Sequence, residues 1–137
     1  MNIADVIREL RELNEPVPKP MRLPSEEEVS RAEAQLGVSF HPDYRKYLLR
    51  GGDVEYGTKE PCTVTPGGGH ADLCDVAQTA WTNVGVPREL LPICEDNGDY
   101  CCMNEAGEIV FWSHNGRTKE QWPDLATWIK QVWIEGQ

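Results

Sequence analysis

The sequence predicts an α+β fold: one domain in which a mainly antiparallel sheet, a C-terminal meander, packs against helices. Three observations predict it. Helical stretches with clear start and stop signals fill the first third of the chain. From Leu90 the apolar pattern becomes that of short strands joined by tight turns. The last residues then return to a helical period, and helices segregated from strands define α+β.

Ile3, Val6, Ile7, Leu10 and Leu13 share one face of a first helix, with Asn2 placed to cap it. Pro16, Pro18, Pro20 and Pro24 then exclude helix and favour an extended strap across the surface. Residues 1–21 are therefore expected to be a helix and strap packed on a domain of residues 22–137, because so short a segment does not fold alone. Ser25 caps the next helix and Glu28, three residues on, completes a capping box. Val29, Ala32 and Leu36 form its buried stripe and Gly37 ends it. Phe40 or His41 precedes a third helix that opens on Pro42 and turns Tyr44, Tyr47 and Leu48 to one side. Gly51 and Gly52 stop it.

Residues 53–79 carry the weakest pattern. TPGGGHAD, residues 65–72, is expected to be a flexible loop. A phosphate-cradling loop follows a strand, leads into a helix and carries a Lys. Here no Lys-Ser/Thr follows the glycines, but Asp72 and Asp75 do, which argues against phosphate.

LLPICE, YCCMN and EIVFWSH are expected to be three consecutive antiparallel strands. Asn97-Gly98 marks the first turn, since both residues accept a positive φ, and Glu105-Ala106-Gly107 marks the second. The third of these strands, apolar on both faces through Phe111 and Trp112, is expected to be central and helix-covered. QWPDLATWIKQVWIEGQ is the final helix, with Pro123 in its first turn and Asp124 near its positive end. Leu125, Trp128, Ile129, Val132 and Trp133 make its apolar face.

The chain has 137 residues, the size of one domain, with 13 basic against 23 acidic side chains and a net charge of −10. Such a surface repels nucleic acid and anionic membrane and favours basic partners. The first residues, MNIADVIRELREL, are amphipathic rather than a secretory signal, and no run approaches the roughly 20 apolar residues of a membrane span. Five cysteines, odd in number and irregular in spacing, fit a reducing cytoplasm rather than a disulfide framework.

No chemical site stands out. Cys94, Cys101, Cys102 and His114 could meet on neighbouring strands, but Cys101 and Cys102 are adjacent and so point to opposite faces, which argues against a metal. No motif surrounds any cysteine that would mark it as a nucleophile beside His114, Asp96 or Asp99. No cofactor is expected. The acids are more telling: residues 88–108 hold Glu89, Glu95, Asp96, Asp99, Glu105 and Glu108 against Arg88. Glu95, Asp96 and Asp99 flank one turn and are expected to project together at one end of the sheet, where they suit docking of a basic protein surface. The D-x-D-x-D-G calcium loop is absent. Asp53, Glu55 and Tyr56, after the third helix, form a second candidate for partner binding. Trp81 and Trp122, near element ends, are candidate anchors; Trp112 and His114 are expected to shape the sheet.

Three blocks of the chain resemble the SUKH superfamily, which includes a fungal regulator of cell-wall synthesis and many bacterial immunity proteins of polymorphic toxin systems. LPSEEEVSRAEAQLGVSFHPDYRKYLLRGGD (residues 23–53) resembles the opening two helices of that family. DNGDYCCMNEAGEIVFWSHN (residues 96–115) resembles its Gly-Asp-Tyr hairpin and the following aromatic strand, and the C-terminal aromatic helix fits its layout. Asn104, Ser113 and Asn115 depart from it, standing where the family commonly has acids. The resemblance implies a non-enzymatic α+β domain that binds a protein, often by covering a cognate toxin. Together with the charge it leads to an expected cytoplasmic immunity protein facing a basic toxin, for example of nuclease type, with no direct contact to nucleic acid or membrane. A regulatory scaffold binding an endogenous protein is the second expectation, and a small Cys/His-dependent enzyme the third.

Overall fold

A computed structural model describes residues 1–65 and 68–136, with the side chain of Arg117 also outside the description. Pro66 and Gly67 of the glycine loop, and Gln137, lie outside the described residues. The fold is α+β. Helices α1 (Ile3–Leu13), α2 (Glu26–Leu36), α3 (Pro42–Gly51) and α4 (Leu73–Thr79) precede strands β1 (Leu91–Asp96), β2 (Asp99–Met103), β3 (Ile109–Ser113) and β4 (Gly116–Trp122), and α5 (Leu125–Trp128) follows them. Both α4 and α5 run on into a wider π-type turn, Ala80–Val84 and Ile129–Ile134 respectively.

The first three helices start where their caps dictate. Asn2 accepts the Asp5 N–H while the Asp5 carboxylate takes the Asn2 N–H, and Ser25 and Glu28 repeat that exchange on α2. Glu28 also forks onto Arg22 through two bonds of 2.7 Å, which ties the end of the strap to α2. Arg22, followed by the Ser25 N–H, pulls the Glu28 carboxyl down to about 2. Gly37 ends α2 in the left-handed conformation, at φ 69°. Residues 16–24 form neither helix nor strand, as four prolines require.

The meander is antiparallel in the order β1-β2-β3-β4. The Asn97-Gly98 turn has φ values of 53° and 89°, the double positive that this pair supplies at least cost. β3 is an inner strand, with Trp112 set against Tyr100 of β2 at 6.1 Å between ring centroids. The free edge of β1 is covered by residues 61–63: Pro61 bridges Cys94, and the Cys62 N–H donates to the Ile93 carbonyl at 2.7 Å.

β4 went unanticipated. Its polar residues, from Thr118 to Gln121, are exposed and carry no apolar alternation, so pairing with β3 alone makes them a strand. It is an edge strand blunted by a bulge. The register slips between Val110 and Trp112, and the Thr118 hydroxyl fills the gap by donating to the Phe111 carbonyl and accepting the Glu120 N–H. α4 also went unanticipated. In the last helix Pro123 lies outside the first turn: Asp124 is the N-cap and accepts the Thr127 N–H at 2.7 Å.

One core joins the layers. α1 buries Ile3, Val6, Ile7 and Leu10 against α3 and the C-terminal helix, so the N-terminal helix is part of the same packed interior. Lys130 and Glu9 clasp the two helices at 2.8 Å. α4 packs along β1 and α5 against β4. Tyr47 meets Trp133 edge-on at 6.1 Å, and the Trp133 indole donates to the Tyr56 carbonyl at 3.0 Å.

Candidate interaction site at the β1–β2 end

The chain beyond α3 reaches the sheet again at residues 61–63, and α4 follows from Leu73. Asp72 makes this possible. Its buried carboxylate accepts the Thr65 N–H and hydroxyl, each at 3.0 Å, and the Asp75 N–H at 3.2 Å, capping α4 and cinching the loop together. The Gly69 N–H, which an anion would seek, is already given to Asp75 at 3.1 Å.

A cleft of about 300 Å³ opens between these residues and the β1–β2 turn, with Lys59, Glu60, Cys62, His70, Glu95 and Asp96 in its lining. Two of the three hairpin acids therefore share it. Glu95 accepts the Gly98 N–H at 2.9 Å, and Asp96 faces Lys59 at 3.2 Å. Glu60 is hydrogen-bonded to the His70 ring. Asp99 is engaged elsewhere: its carboxylate accepts the His114 N–H at 3.0 Å and is bonded to the His114 ring Nδ1 at 2.9 Å, and those bonds hold its pKa below the usual carboxylate value. A place in the same turn thus does not decide what an acid contacts; His114, in the β3–β4 turn, does so for Asp99.

Asp53, Glu55 and Tyr56 lie on a seam between helices. Asp53 pairs with Arg11 of α1. The Glu55 N–H donates to Asn14 at 2.8 Å and its carbonyl accepts the Glu15 N–H, while Tyr56 offers its carbonyl to Trp133. Partial burial, then the charge of Glu60, raises the Glu55 carboxyl. Of the candidate anchors, Trp81 is engaged within the chain, donating to the Leu90 carbonyl at 2.8 Å beneath the Arg88 guanidinium, and Trp122 is half-buried opposite Ile109. Asn104 organises the β2–β3 turn by accepting the N–H groups of Ala106 and Glu108 and donating to the Glu108 carboxylate. An Asp there would keep the two acceptors but repel Glu108.

Lys59, Glu60 and His70 were not among the residues the sequence singled out. They are distant from Glu95 along the chain, and only the short alternating run from Pro61 to Val64 hinted that this segment reaches the sheet.

The thiols are buried, and four of them have raised pKa values. All five cysteines are free and buried. Burial pushes Cys94 up to about 12 and Cys74 to about 11, and raises Cys62 and Cys101 as well. Cys62 and His70 line the same cleft, but Cys62 is only 1% exposed and His70 is held by Glu60. A nucleophilic cysteine needs a lowered, accessible thiol. We expect an aromatic disulfide reagent at pH 8 to titrate fewer than one thiol per native chain within minutes, and five after unfolding in guanidinium; rapid reaction of Cys62 in the native protein would contradict this. Among the described residues no group of three or more side chains is arranged to hold a metal ion. No helix among them is long and apolar enough to cross a membrane.

A meander with one edge covered and one bulged, and a helical layer that shares its core, make a small α+β module with a carboxylate-lined cleft at the hairpin end. The chain belongs to the SUKH_5 family, described as SMI1-KNR4 cell-wall, whose model matches residues 3–134. A crystal structure of a protein from Pseudomonas syringae pv. tomato is similar to it, at 44% identity over 96% of this chain and 98% of that one, with a TM-score of 0.91. No curated protein matches the chain.

Proposed function

We propose that this chain is a protein-binding domain of the immunity type, which acts in the cytoplasm and neutralises a basic toxin domain through its acidic hairpin end. The observation that carries the reading is the convergence of Glu60, Glu95 and Asp96 on one cleft, in a chain of net charge −10. Membership of the SUKH family supports a binding role, and the raised thiols speak against nucleophilic chemistry. A groove built for phosphate, as in a nuclease, has the complementary charge.

Capture on the tagged full chain from its own cells, followed by elution in a salt gradient, tests this. Charge-led association weakens as the Debye length falls from about 10 Å at 0.1 M salt to about 3 Å at 1 M. The partner is expected to be basic, and the double variant E95K/D96K to slow its association at least about tenfold at low salt. Retention unchanged between 0.05 and 0.5 M salt, or an acidic partner, would refute an acid-led interface. An endogenous regulatory protein as the captured partner would replace the immunity reading with that of a scaffold.

A further inference from the structure

We propose that a second depression, between the α2–α3 connection and the β2–β3 turn, seats an apolar side chain carried on a basic segment of the partner. This rests on the binding reading above and adds the place where the partner is gripped. Exposed charges govern the rate and selectivity of association more than its strength. Tight interfaces gain most of their strength from a few anchors buried in desolvated pockets. Among the described residues the exposed large apolar side chains are Met1 and Val84, at 71% and 37%, so the convex surface offers almost nothing for an apolar contact. Such a contact has to be made inside a depression.

The groove measures about 750 Å³, more than twice the acidic cleft, and falls in the range that buries a ligand or a large side chain. Val38, Pro42, Leu91 and Met103 give it apolar walls, and Glu89 and Glu105 stand among its polar lining. Charge selects the occupant. The Glu105 carboxylate stands at the rim, and the one guanidinium of the lining is engaged: Arg88 donates to the Leu36 carbonyl at 2.6 Å and lies 4.0 Å over the Trp81 ring. His41 is engaged as well, accepting the Asp43 N–H on Nδ1 at 3.1 Å. An apolar side chain flanked by Lys or Arg therefore fits walls and rim together. A second copy of this chain does not, because two bodies of charge −10 repel. The walls are also set in advance. The Asn104 side chain fixes the β2–β3 turn through three hydrogen bonds, and a preorganised pocket loses little freedom on binding.

The test uses methyl-labelled full-length protein and two synthetic peptides, KKFKK and KKAKK, followed by NMR. KKFKK is expected to shift the methyl signals of Met103, Leu91 and Val38 saturably, with KKAKK about tenfold weaker, the worth of one partly buried ring. E105K, an exposed turn substitution that leaves the walls intact, is expected to weaken KKFKK several-fold. Equal shifts from both peptides confined to the amides of Asp96 and Gly98, with Met103 unmoved, would overturn the groove while leaving the acid-led surface standing. Silence towards both peptides would overturn the groove and count against that surface as well. Unchanged KKFKK binding to E105K would overturn the basic flank of the occupant.

Discussion

Trp133→Ala is expected to destabilise the fold by about 3 to 5 kcal/mol, in the range seen for truncating a buried aromatic to alanine. That is a large share of the roughly 5 to 15 kcal/mol that holds a domain of this kind together. The indole is 1% exposed, meets Tyr47 edge-on and holds the chain after α3 through its bond to the Tyr56 carbonyl. Its loss opens a cavity where α3, the last helix and the 53–56 seam meet, and leaves that carbonyl without its indole donor. Trp133→Phe keeps most of the apolar contact and is expected to cost less than half as much. Urea unfolding followed by circular dichroism measures both, and a loss below about 1 kcal/mol for the alanine variant would show that the three elements do not depend on this contact.

Asp72→Ala is expected to cost about 2 to 4 kcal/mol, the combined loss of a helix cap and of charge-assisted bonds. Its buried carboxylate serves the Thr65 N–H, the Thr65 hydroxyl and the α4 N-terminus together. Asp72→Asn keeps the shape and one acceptor oxygen, so it is expected to recover part of the loss. The local consequence is more telling than the global one. Hydrogen exchange at Thr65, Gly69 and Asp75 should speed up well before that of the β2–β3 ladder, because the lost bonds are local to the loop and the start of α4. Equal acceleration of both regions would mean that the loop and the sheet open as one unit. Since this loop carries His70 to the cleft, the variant also separates the shape of the cleft from its charge.

Legibility followed the range of the determining contact. The capping box at Ser25 and Glu28, the left-handed stop at Gly37 and the Asn97-Gly98 turn all appear as expected, because each is decided by residues within four positions of one another. β4 was missed because an edge strand exposed on its polar residues has no period to show. α4 was missed because seven residues are too few for a helical pattern to emerge, and its cap is shared with a loop. The candidate site was half legible. Glu95 and Asp96 do share a cleft, yet Asp99 is claimed by His114, and the Asp53–Tyr56 segment is tied to α1 and the last helix. None of these partners lies close in the chain.

By itself, then, the sequence determined the fold class, the ends of the first three helices, the three-stranded core of the meander and the excess of negative charge. Propensity, capping, turn conformation and composition are local quantities, and each is written in consecutive residues. Only the tertiary structure decided which carboxylates remain available, which loop faces the hairpin and where a groove with apolar walls is left. Those depend on side chains such as Lys59, His70 and His114 arriving from elsewhere, and arrival is governed by the packing of the whole core.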